Sequence, residues 1–135
     1  MSLPLLTTAF VMMAPLDQGA DQATLAQLFR AGVETRFEQR PAEDAGAVHT
    51  WIGAGCVSII AVRESSGARS AYSIQWSGAS IAPASGERVV AVKGFRRAQA
   101  PVPEQATLFS FKDAETASTA RAAMERLQAA CTPQR

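Results

Sequence analysis

The chain changes its hydrophobic period twice. Over residues 21–38, Leu25, Leu28, Phe29, Val33 and Phe37 recur at spacings of three and four, with Gln22, Gln27, Arg30, Glu34 and Arg36 between them. That spacing predicts an amphipathic helix. Residues 39–47 bring Pro41, Glu43, Asp44 and Gly46 together, which reads as the helix end and a connecting loop. From Val48 to Phe111 the period falls to two. Turn-forming clusters at Gly53-Ala54-Gly55, Ser65-Ser66-Gly67 and Pro83-Ala84-Ser85-Gly86, and then Pro101 and Pro103, cut this stretch into strand-length pieces. The pieces are 48–52, 56–63, 71–76, 88–95 and 107–111. In the third, Tyr72, Ile74 and Trp76 alternate with Ala71, Ser73 and Gln75, so one face is buried.

The helical period returns at the C-terminus. Asp113 is a good N-cap, and Ala117, Ala120, Met124, Leu127 and Cys131 form a stripe ended by Pro133. No piece between the strands is long enough for a crossover helix, which excludes a parallel sheet. The expected fold is α+β: an antiparallel meander of about five strands, with an N-terminal and a C-terminal helix packed on it. Residues 21–135 form a single domain of this kind. Residues 1–20 stand apart as a signal peptide or an apolar N-terminal segment.

That N-terminal choice bears on location. The run from Leu3 to Leu16 carries no charge and is too short to span a bilayer, the length of a signal-peptide core. No basic residue precedes it, and cleavage after Ala14 or Ala20 leaves Met12 or Gln18 three positions before the cut. The reading is export to the periplasm or beyond; the alternative is an apolar first strand in a cytoplasmic protein. In an oxidising compartment Cys56 and Cys131, the only two cysteines, can pair and close a long loop. Cys56 heads the most continuous apolar strand, and Cys131 falls on the helix stripe that meets the sheet.

Composition narrows the function classes. Thirteen basic against twelve acidic residues give a net charge of +1, which excludes broad electrostatic capture of nucleic acid or anionic membrane. The chain holds 27 alanines, 11 arginines against two lysines, and no asparagine, a bias of GC-rich bacterial coding that says nothing about activity.

Catalytic chemistry finds little support. His49 is the only histidine, and there is no metal-binding spacing and hence no metal expectation. Gly53-Ala54-Gly55 is not a dinucleotide fingerprint, because Ser58 takes the third glycine's place and a strand follows instead of a helix. No cofactor is expected. Arg63, Arg69, Arg88, Arg96 and Arg97 share the strand region with Trp51, Tyr72, Trp76 and Phe95. Arginine with aromatics can form a recognition surface, and Trp51, Arg63, Arg96 and Arg97 are the binding candidates. The plainer reading places the aromatics in the core and the arginines on a solvated face.

Two function classes follow. One is a small exported bacterial domain without catalysis that binds an envelope protein or a small ligand through a sheet face or edge. It calls for a contiguous apolar or arginine-aromatic patch. The other is a small enzyme with a loop-built site around His49, Glu43 and Asp44, which calls for a pocket joining the imidazole to a carboxylate. A cytoplasmic chaperone-like or ligand-binding domain shares the same outline.

Overall fold

A computed structural model of the protein describes residues 18–38, 45–82 and 86–133. Helix α1 (Gln18–Arg30) leads into β1 (Val33–Phe37), β2 (Gly46–Ala54), β3 (Val57–Glu64) and β4 (Arg69–Gln75). A 3-10 turn at Trp76–Gly78 leads to β5 (Ser80–Ala82), β6 (Val89–Lys93), β7 (Arg96–Arg97) and β8 (Thr107–Ser110), and α2 (Ala114–Cys131) closes the chain. The fold is α+β with two helices on one antiparallel sheet. The sheet has eight strands, in the order β5-β6-β8-β1-β2-β3-β4-β7, where about five were expected. The run from Leu3 to Leu16 and the acids Glu43 and Asp44 lie outside the described residues.

The first helix is shorter than its periodicity predicts. It stops at Arg30, and Gly32, at φ 93°, donates its N–H to the Phe29 carbonyl at 3.0 Å. Left-handed backbone at this place suits glycine and ends helices. Val33 and Phe37, spaced four apart, extend a helical stripe on paper, yet with Thr35 they also fit a period of two. The structure uses that second period: Val33, Thr35 and Phe37 are buried while Glu34 and Arg36 are exposed.

Short connections roll the sheet up. β6 lies next to one end of the strand order and β7 at the other, although only Gly94 and Phe95 separate them. Three peptide steps span at most about 11 Å, so the two ends of the sheet meet. Gly94 has φ 125°, and a Cβ there would stand 3.3 Å from the Ala79 backbone, so glycine permits the close approach at this seam. The incomplete barrel encloses an aromatic core. Phe29 of α1 packs on Trp51, Phe109 and Phe111, while Phe95 packs edge-on against Trp51, Trp76 and Phe109.

Helix α2 buries Ala117, Ala120, Ala123, Met124 and Leu127, its small residues allowing close approach to α1 and the 3-10 turn. Asp113 caps it by accepting a hydrogen bond from the Thr116 N–H at 2.7 Å. That backbone bond, the Thr116 side chain and nearby Lys112 hold the Asp113 carboxyl below the ordinary carboxylate range. Arg126 Nε meets Asp21 Oδ1 at 2.9 Å, joining the two helices. Cys56 and Cys131 are bonded, with Cα atoms 5.7 Å apart. Cys56 sits in the two-residue turn between β2 and β3, so the disulfide ties a hairpin tip to the last turn of α2. Among the described residues, no helix is long and apolar enough to cross a membrane.

Candidate functional site

Strands β2, β3 and β4 present two chemically different faces. On the inner face, Gln22 of α1 is almost fully buried at 3 % exposure, and its side-chain amide is fully engaged. Its Nε2 donates to the carbonyls of Gly55 and Val57, each at 3.1 Å. Its Oε1 accepts from Trp51 Nε1 at 2.9 Å and from Ser58 Oγ at 2.7 Å. Ser58 Oγ in turn accepts from Trp76 Nε1 at 2.8 Å. Gly53 makes room for this: a Cβ at that position would overlap the Gln22 amide. The Ser58 proton goes to the Gln22 amide oxygen, an acceptor too weakly basic to activate a hydroxyl. The network fixes α1 on the hairpin and offers no nucleophile.

The outer face is built from the alternate residues. Ile52, Val57 and Ile59 are exposed at 62 %, 38 % and 44 %. Ile52 stands directly opposite Ile59, Ala54 opposite Val57, and Ala61 lies between Thr50 and Ala71. These side chains form one apolar area across three strands. At the far end of the same face, Arg63 of β3 is the direct cross-strand partner of Arg69 of β4, and both are exposed. Arg96 joins the face beside Ser73. The face thus combines an apolar centre with charged ends.

His49 occurs at an irregularity of the β2–β3 ladder. The register shifts between Val48 and Thr50, so His49 is an extra residue on β2, turned outward and exposed. Its imidazole lies over Gly32, where a Cβ would approach Cε1 to 2.6 Å. With Ala47, Thr50, Ala61, Val62, Arg63 and Arg69 it lines a recess of about 210 Å³. No carboxylate is among these residues, so the imidazole-carboxylate pairing that an enzyme reading requires is not formed among the described residues. No group of three His, Cys, Asp or Glu that could hold a metal occurs among them either.

The four sequence candidates therefore separate. Arg63 and Arg96 share the outer face. Arg97 pairs with inward-facing Tyr72 and is exposed at the seam, and Trp51 is a core residue, 5 % exposed and bonded to Gln22. Tyr72, Trp76 and Phe95 are buried as well, so these four aromatics belong to the core and not to the arginine-bearing outer face. The apolar residues of the outer face were not singled out from the sequence. A signal existed: residues 57–62 read Val-Ser-Ile-Ile-Ala-Val. An antiparallel strand that is apolar at both parities has two apolar faces, and only one of them can meet the helices.

Comparison with protein families, with characterised proteins and with solved structures finds no match for the chain. The fold and surface define its class: a disulfide-bonded α+β domain whose rolled sheet carries an exposed apolar face.

Proposed function

We propose that the protein is a noncatalytic binding domain of the bacterial envelope, periplasmic or secreted, which engages a protein partner with the outer face of β2, β3 and β4. The observation that carries this reading is the exposed array of Ile52, Val57 and Ile59, contiguous across a hairpin. Apolar surface is left in water at a cost of roughly 25 cal/mol per Å², and contiguous exposure of this kind marks interaction sites. The Cys56–Cys131 bond and the uncharged run before α1 support a location where thiols oxidise. Cleavage after Ala14 leaves α1 whole, whereas cleavage after Ala20 removes its first turn.

A photo-crosslinking residue placed at Ile59, with a control at exposed Glu125 of α2, tests the reading in the cells that make the protein. The expected result is a discrete adduct from position 59 and none from 125. Equal yields from both positions, or no adduct from 59, would reject the outer face as the binding surface.

A further inference from the structure

The recess beside the apolar patch holds two like charges that no carboxylate among the described residues pairs with. Arg63 and Arg69 face each other directly across β3 and β4, and like charges in that position repel. Neither has a carboxylate partner among the described residues. Glu34, on the same outer face, stands opposite Ala47, with Ala47 in turn opposite Arg63, two strand spacings or about 10 Å from it. Glu64 follows Arg63 in the chain but belongs to the other side of the strand. The outward residues around the two arginines are small: Ala47 and Ala61 line the recess together with Thr50 and His49. Both arginines line the same recess, and its described lining carries no carboxylate.

We propose that Arg63 and Arg69 together grip a carboxylate side chain of the protein partner. This rests on the reading that the outer face is the binding surface. Guanidinium groups match the two oxygens of a carboxylate through paired N–H donors. The alanine walls suit the aliphatic stem of a glutamate or aspartate, a feature that a small hydrated anion does not need. Ile59 lies four residues before Arg63 on the same strand, about 13 Å away, so one short segment of the partner reaches both. The partner therefore presents an acidic residue close to apolar ones, and Arg63 and Arg69 set its orientation while Ile52, Val57 and Ile59 cover its apolar part.

The experiment is an NMR titration of the full, disulfide-bonded chain with the blocked peptide acetyl-Ile-Glu-Val-Leu-amide, its Gln counterpart, and inorganic phosphate. The expected result is saturable movement of the Ala47, Ile59, Ala61, Arg63 and Arg69 amides with the Glu peptide. Affinity should fall about tenfold for the Gln peptide and for the Arg63→Gln/Arg69→Gln variant, the scale of losing charge-assisted hydrogen bonds. Arg63→Lys/Arg69→Lys, which keeps the charge and loses the fork, should fall between, and unchanged dispersion elsewhere in the spectra shows that the variants are folded. Equal affinity of the Glu and Gln peptides at these residues overturns the carboxylate grip while leaving the outer face as the surface. Phosphate binding as tightly as the Glu peptide overturns an acidic side chain as the occupant. Movement confined to other parts of the protein, or none, overturns both readings.

Discussion

Ile59 and Ile60 are neighbours in the chain and opposites in the structure. Ile60 is fully buried against the aromatic core, while Ile59 stands 44 % exposed on the other side of β3. The same contrast runs along the whole β2–β3–β4 region. On the inner face every polar atom of the Gln22 amide has a partner, the indoles of Trp51 and Trp76 donate into the same network, and aromatic rings fill the remaining space. On the outer face isoleucines meet water and two arginines oppose each other. A strand gives both faces the same backbone, so the difference lies in what each set of alternate side chains was provided with. The satisfied face accounts for the fold, and the other is the one for which a partner is proposed.

The largest expected effect lies at the edge of the inner face. Replacing Cys56 and Cys131 by Ser removes a bond across a sequence separation of 75, and the loop-entropy model puts the loss at about 4 kcal/mol. Urea unfolding of the two forms measures it, and a loss below about 1 kcal/mol would show that the hairpin tip and α2 are held mainly by packing. Next is Gln22→Ala, which leaves two carbonyls, an indole N–H and a hydroxyl without their partner. About 3 kcal/mol should be lost in the same assay, given that each unsatisfied buried group costs about 1–3 kcal/mol and some regain water. Gly53→Ala should reproduce part of that loss, because its Cβ displaces the same amide. At the other extreme, Arg69→Gln relieves cross-strand repulsion and should raise stability by a few tenths of a kcal/mol. A clear drop would mean that Arg69 has a structural role, and the contrast between the faces would weaken.

Much of the inner face could be read along the chain. The alternation of Tyr72, Ile74 and Trp76, the Asp113 cap and the stripe of α2 are local patterns, and each is found where its period places it. The cysteine pair was legible because one lies at a hairpin and the other on the helix stripe. What failed had two physical causes. Where two periods coincide, as for Val33 and Phe37, spacing cannot choose between them, and Gly32 decided in favour of a strand. Strands of two or three residues, β7 and β5, are too short to carry any period and exist through pairing with their neighbours. Gln22 was read as an ordinary polar helix position; its burial depends on Trp51, Gly53, Gly55, Val57 and Ser58, about thirty residues further on. The enzyme alternative rested on His49 near Glu43 and Asp44, acids that lie outside the described residues; the imidazole itself lies over Gly32.

The central claim is that two faces of one strand divide fold from recognition, and the adjacent pair Ile59 and Ile60 tests it most directly. Urea unfolding of Ile59→Thr and Ile60→Thr, which share a β-branched substitution one residue apart, gives the comparison. Ile59→Thr should stay within about 0.5 kcal/mol of the parent, the usual range of surface changes. Ile60→Thr should lose about 3 kcal/mol through the cavity and the buried hydroxyl. Similar losses for the two would contradict the account, because Ile59 would then belong to the protein's own packing.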